Sequence, residues 1–399
     1  MFARDFSKII QPYTKFPAIA ILGPRQSGKT TFARMTFPQH KYVLLEDLDN
    51  RELARTDPRK FLRTHENEYG IIIDEFQYAP DLLSYIQIEA DEKKRQGYFI
   101  LTGSQNFLMN AAITQSLAGR VGILTLLPFS LHELTVNNIV PRDSDEAMFK
   151  GGYPGLYVAQ SNPRTLYLSY IQTYIERDVR QLMDVGDLGA FQKFLQLCAG
   201  RIGQQLNLSD LAAVCGISVT TARRWIAILE ASYIIFLLQP HFNNFNKRLT
   251  KAPKLYFYDT GLACALLNIA SPSALTLNSF RGSLFECFII ADLYKQFCNL
   301  GDRPSLYYWR DLNGRLEVDA IIEVASQYLY PIEIKSGETI ASDFFNNLVA
   351  WSELAKKNPE DGYLIYGGDL VQERSKGTVL GWKSVGQLVD KLLQVPQAQ

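Results

Sequence analysis

Short apolar runs alternate with longer polar or amphipathic stretches along the chain, and their spacing predicts the elements. In the first third, "AIAIL" from Ala18, "YVLLED" from Tyr42, "GIIIDEF" from Gly70, "YFILTGS" from Tyr98 and "VGILTLLP" from Val121 are apolar at consecutive positions. That is the pattern of strands covered on both faces. Helical or polar stretches separate the runs, so the expectation is a parallel sheet with covering helices. From "PFSLHEL" to about residue 195 the apolar positions recur at helical spacing, broken at "GGYPG" (151–155). "NLSDLAAVCGISVTTARRWIAILEAS" predicts two short helices around Gly216, the first capped by Ser209 and the second by Ser218 or Thr220. A β-hairpin is predicted over "YIIFLLQPHFNNFNKRLTKAPKLYFYD". The last stretch reads as a helix ("GSLFECFIIADLYKQF"), three strands ("SLYYWRD", "RLEVDAIIEV", "YLYPIEIKSG"), a helix and a final strand ("GYLIYG").

A chain of 399 residues has room for roughly two or three domains. The elements divide into 1–130, 131–195 (a helical lid or linker), 196–270 and 271–399. Lys plus Arg and Asp plus Glu both total 41, so no global field draws in nucleic acid, and such binding must come from a local patch. The five cysteines are scattered, with no CxxC pair, as expected of reduced thiols in a cytoplasmic protein. No apolar core follows the charged amino terminus, and the longest apolar runs, such as "YIIFLL", are too short to span a bilayer. The expectation is a soluble protein with no membrane partner.

The chemistry is densest at "AIAILGPRQSGKTTFAR". A strand runs into Gly23, a loop of Pro24, Arg25, Gln26 and Ser27, then Gly28, Lys29, Thr30 and Thr31 opening a helix. This is the context that GxxxxGK[ST] requires of a phosphate-binding loop. Gly23 and Gly28 permit a backbone that aims amides at phosphate oxygens, and the helix presents its positive end. Lys29 reaches the β- and γ-phosphates, and the Thr30 hydroxyl is a magnesium ligand. Asp74 and Glu75 end a later strand, the first placed to hold magnesium and the second to polarise the attacking water. ATP and Mg2+ are the cofactors this pattern predicts. Ser104 or Gln105, at the end of the next strand, is a candidate γ-phosphate sensor.

Five such strands, with the acidic pair on the third and polar sensors on the fourth, resemble the AAA-type ATPases. The resemblance implies an arginine-finger role for Arg120, just ahead of the fifth strand, and hence a homo-oligomer in which it completes a neighbour's site. The other reading of Arg120 is a cation at a helix C-terminus, favourable next to the dipole.

In the middle segment, two helices around a glycine turn followed by a hairpin read as a helix-turn-helix with a wing. Arg223 and Arg224 lie early in the second helix, where groove contacts are made, and Lys247, Arg248, Lys251 and Lys254 form a basic hairpin tip. DNA or RNA contact through Arg223, Arg224, Lys247 and Arg248 is one reading; a packing module without nucleic acid is the other. The last segment, an α/β unit, resembles the PD-(D/E)xK nuclease core in element order, with Asp319 and Glu333-x-Lys335 matching its motif. The resemblance implies a second divalent metal on Asp319 and Glu333, with Glu286 completing the site and Lys335 orienting a water. A nuclease, a nucleic-acid binder and an assembly module all remain open.

From "ILGPRQSGKTTFAR" through "YIERDVR", "KLYFYDTGLA" and "EVDAIIE" to "IEIKSG", the whole chain resembles a large prokaryotic group. Its members join an AAA-type ATPase, a winged helix and a PD-(D/E)xK-like domain of unknown function. Three functions follow as expectations: a nucleotide-driven switch on nucleic acid, an ATP-gated assembly protein, or an ATP-licensed nuclease. Asp259, in "DTGLACALL", carries no chemistry and reads as a helix cap.

Overall fold

The computed structural model describes residues 2–104, 116–175, 188–241, 252–311 and 314–394. The chain divides into two compact units: Met1–Pro128 with the short segments Ala231–Tyr233 and Cys298–Asp302, and the remainder, Phe129–Glu230, Ile234–Phe297 and Arg303–Gln399.

In the first unit, strands β1 (Ala18–Gly23), β2 (Lys41–Leu44), β3 (Ile71–Asp74), β4 (Phe99–Ser104) and β5 (Val121–Thr125) form a five-stranded sheet in the order β2-β3-β4-β1-β5. All four pairings are parallel. The continuous apolar runs are explained by the two-residue period of a strand. Ala18, Ala20 and Leu22 enter one core with Ile71, Ile73, Phe99 and Leu101. Ile19 and Ile21 enter the other with Ile72, Ile100, Leu124, Phe6 and Phe32. Both faces are therefore covered, and each fully buried Ile or Phe contributes on the order of 1.5–3 kcal/mol.

In the second unit, helices at Leu131–Val136, Ser144–Lys150, Pro154–Val158, Pro163–Tyr170 and Leu188–Ala199 make up the expected helical stretch, with Ile171–Ile175 in π geometry. Helices Leu208–Cys215 and Val219–Ala231 follow, bent by 106° across a turn in which Gly216 has φ 69°. Asn207, not Ser209, caps the first: its side chain accepts the Asp210 N–H, which leaves Ser209 inside the first turn. Ser218 caps the second through the Thr221 N–H at 3.0 Å. β6 (Ile235–Leu238) and β7 (Lys254–Phe257) pair antiparallel, Leu238 opposite Lys254.

The carboxy-terminal sheet has six strands. β8 (Leu306–Arg310), β9 (Glu317–Val324) and β10 (Tyr328–Lys335) form an antiparallel meander. Helix Asn346–Ala355 then crosses over to β11 (Tyr363–Tyr366), parallel to β10. Leu348 packs on Leu364, Tyr366 and Val379, and Trp351 on Val318 and Ile321. "GYLIYG" does not end the sheet: β12 (Val371–Arg374) and β13 (Gly377–Gly381) add a hairpin, giving the order β12-β13-β11-β10-β9-β8. β12 escapes a hydrophobicity pattern because all four of its residues are exposed on a sheet edge.

Candidate functional site

The loop after β1 is shaped by two glycines. Gly23 has φ 147°, and a Cβ there would overlap the Leu126 carbonyl; Gly28, at φ 93°, is the left-handed N-cap of helix Lys29–Thr36. Between them Pro24 and Ser27 are buried, Arg25 is half-buried and Gln26 exposed; Thr31 lies exposed on the helix. Lys29 is buried, and its Nζ arches back to the carbonyls of Gly23 (3.1 Å) and Pro24 (2.7 Å). The buried Arg4 clasps the loop from outside, donating to the carbonyls of Ser27 (2.9 Å) and Leu127 (2.6 Å). No motif marks Arg4 in the sequence.

Asp74, at the end of β3, is the meeting point. Thr30 Oγ1 lies 3.0 and 2.9 Å from its two carboxylate oxygens, and Tyr42 donates its hydroxyl at 2.7 Å. Thr102, buried on β4, adds a third hydroxyl. A hydroxyl and a carboxylate side by side are the hard oxygen donors that magnesium takes, so Thr30 and Asp74 fit the ion. Tyr42 and Thr102 escaped the sequence reading; their only signal is a polar atom inside an otherwise apolar strand. Glu75 follows in a left-handed conformation, φ 57°. Burial raises its pKa, while Lys29, Gln77 and Arg25 oppose. Gln77 bridges Glu75 to Ser104, whose Oγ accepts its Nε2–H at 3.1 Å. The loop residues, Asp74, Glu75 and Ser104 thus come together.

Arg120 instead makes a two-pronged, exposed pair with Asp91 at 2.5 and 3.0 Å. Gln105, Lys247, Arg248 and Lys251, and the "ERDVR" segment from Glu176, lie outside the described residues. Arg223 and Arg224 are exposed early in helix Val219–Ala231. All five cysteines are free. Asp259 caps helix Thr260–Leu266 through the Leu262 N–H and also accepts from the Gly152 N–H and the Tyr167 hydroxyl.

The carboxy-terminal carboxylates also converge, but onto cations. Lys335 Nζ sits 2.6 Å from Glu333 Oε1, which Asn347 also approaches at 3.1 Å. Asp319 accepts the Ile334 N–H at 2.8 Å. Lys254, expected at an exposed wing tip, is instead buried in β7 beside Glu286 and Glu317. As the first residue of β7 it is in phase with inward-facing Tyr256. Burial, then Glu333 and Glu286, drive the Asp319 pKa well above the usual carboxylate range, against Lys254 and Lys335. Burial also raises Glu333. Among the described residues no three His, Cys, Asp or Glu side chains are disposed to hold a metal ion. The expected metal trio of Asp319, Glu333 and Glu286 therefore does not fit an ion as arranged, because an ammonium group or a backbone amide holds one oxygen of each.

Comparison with known proteins agrees with the first site. The family described as "AAA domain" matches residues 15–135, and the strand-loop-helix with its Thr30–Asp74 contact is that of an AAA-type P-loop ATPase. Two families described as domains of unknown function, DUF8612 and DUF4143, match residues 141–273 and 281–385. The Uncharacterized protein Rv2008c of Mycobacterium tuberculosis and the Uncharacterized protein Mb2031c of Mycobacterium bovis are each 32% identical over 329 residues, covering 81% of this chain and 71% of theirs. The chain belongs to the same family as these two proteins. Among solved structures, similarity extends to the Walker-type ATPase paby2304 of Pyrococcus abyssi, at 17% identity and TM-score 0.44, over 67% of this chain and 96% of that one. The RuvB Holliday junction branch migration motor of Thermotoga maritima is similar at 17% identity and TM-score 0.31, over 58% and 86%. No single helix among the described residues is long and apolar enough to cross a membrane.

Proposed function

We propose that the chain is an ATP-hydrolysing switch, working as a homo-oligomer, that uses its nucleotide state to reposition its later segments on nucleic acid. The observation carrying this is the contact of the Thr30 hydroxyl with both Asp74 oxygens, directly behind Gly28 and Lys29 and one residue from Glu75. The loop amides cradle a triphosphate, and Lys29 exchanges the Gly23 and Pro24 carbonyls for phosphate oxygens. Thr30 and Asp74 would hold the magnesium, which when bound neutralises phosphate charge. Glu75 orients the attacking water, and the Gln77 bridge supports Ser104 as the sensor of the γ-phosphate. Arg120, released from Asp91, serves a neighbouring copy.

We read residues 196–270 as a winged helix and 271–399 as a PD-(D/E)xK-like fold. The two bent helices, the β6–β7 pair and the exposed Arg223 and Arg224 support contact with a nucleic-acid backbone. Metal-dependent cleavage is not part of this reading, since ammonium groups pair with Glu286 and Glu333 and a backbone amide with Asp319. The test is duplex DNA binding titrated against salt, alongside ATP turnover with and without DNA. Binding should weaken linearly in log–log form, the slope dropping by roughly 0.9 for each arginine whose phosphate contact is removed by Arg223→Ala or Arg224→Ala. Absence of DNA and RNA binding at low salt, with turnover indifferent to both, contradicts the reading and favours an ATP-gated assembly role.

A further inference from the structure

In the second unit Glu286 and Glu317 flank a lysine from a different part of the chain, Asp319 also acts on its charge, and Glu333 lies beside Asp319 in the same cluster. Lys254 is 3% exposed. Its Nζ lies 3.4 Å from Glu286 Oε1, is ion-paired with Glu317 Oε1, and sits 5.4 Å from the Tyr308 ring centroid. Tyr256, two residues along β7 and facing the same way, donates its hydroxyl to the same Glu286 oxygen at 2.5 Å. Lys335 closes Glu333 Oε1, and Arg310 Nε lies 3.3 Å from Glu317 Oε2. One oxygen, Glu333 Oε2, is buried without a hydrogen-bond partner. Carboxylates gathered this closely need a cation, and a buried ammonium needs carboxylates; each requirement is met by the other. Burial alone would lower the Lys254 pKa, but Glu286, Glu317 and Asp319 more than offset it, and the ammonium form is favoured.

We propose that Lys254 is the resident cation of this cluster, standing where a divalent metal would otherwise be drawn, so that the carboxylates of β9 and β10 take up a metal only when Lys254 is removed. A divalent ion requires several oxygens at about 2.0–2.6 Å. Here it would have to displace an ammonium group already held by two of them, against like-charge repulsion. Glu333 acts with Glu286 on Asp319, as Lys254 does, and its unpartnered Oε2 is the oxygen open to an ion once Lys254 is gone. Because Lys254 belongs to β7, the chemistry available to the carboxy-terminal carboxylates is set by a strand of the preceding segment.

The test is Mn2+ uptake by the full chain without nucleotide, read from loss of the free-ion electron paramagnetic resonance signal. Wild type, Glu333→Gln, Lys254→Met and the double variant are compared; any Mn2+ at Thr30 and Asp74 is common to all four. Glu333→Gln should leave wild-type uptake unchanged, Lys254→Met should add a bound ion, and the double variant should lose it again. Uptake by wild type that falls on Glu333→Gln overturns the proposal, as does a folded Lys254→Met that gains no ion. Should Lys254→Met fail to fold, the first pair decides alone: unchanged uptake upholds the proposal and lost uptake overturns it.

Discussion

Replacing Thr102 with valine removes one hydroxyl from the Asp74 carboxylate and keeps the shape of the side chain. Thr102 is fully buried on β4, and Asp74 takes its other hydroxyl contacts from Thr30 and Tyr42. A hydrogen bond to a charged group contributes roughly 1.5–3 kcal/mol net, and the added methyl returns about 0.8 kcal/mol through apolar burial. The balance is a loss of about 1–2 kcal/mol, which lowers the melting temperature of a unit this size by roughly 2–8 °C. The functional consequence is larger than the thermal one. With one anchor gone Asp74 turns more freely, and the Mg2+ concentration for half-maximal ATP turnover rises roughly tenfold. Differential scanning calorimetry and a magnesium titration of turnover measure the two effects. A valine variant with wild-type melting and wild-type magnesium requirement refutes the reasoning; a fall in melting temperature alone reduces Thr102 to packing.

Glu75→Gln should bind ATP as wild type does and turn it over roughly 10²–10⁴-fold more slowly, measured by nucleotide binding and phosphate release side by side. Burial holds Glu75 above its ordinary value of 4.5, so the folded state binds that proton more tightly than the unfolded one, and stability falls as pH rises from 4.5 through the raised value. Glutamine has no such loss, so the variant should melt higher than wild type at pH 8 and not at pH 4; equal melting at both contradicts the shift. Arg120→Ala should keep its melting temperature, because the Asp91 pair is exposed, and keep ATP binding, while turnover falls and no longer rises with protein concentration. Unaltered turnover removes the finger role. Asp259→Ala strands the Gly152 and Leu262 amides and the Tyr167 hydroxyl, and should cost about 3–5 kcal/mol in a urea titration; an unchanged midpoint contradicts the cap and its network.

The parallel sheet was legible in the sequence because strands buried on both faces must be apolar throughout, as "AIAIL" and "GIIID" are. The phosphate loop was legible because its geometry lies in contiguous residues, Gly23 to Thr30. The partners that orient Asp74 were not, since Tyr42 and Thr102 come from neighbouring strands and only the sheet order β2-β3-β4 brings them together. Arg4 is a lone charge whose role depends on carbonyls at Ser27 and Leu127. Lys254 was misread for a different reason: composition grouped it with Lys247, Arg248 and Lys251, whereas its two-residue phase with Tyr256 sends it inward. β12, fully exposed, offers no apolar alternation to read.

The most direct test of the central claim is isothermal titration calorimetry of ATP with Mg2+ into the wild-type chain and into Lys29→Ala. Saturable binding to wild type, abolished by Lys29→Ala while the variant's circular dichroism stays that of the wild type, is the result expected. Wild-type protein that gives no heat with ATP, or a Lys29→Ala variant that binds it equally well, contradicts the account.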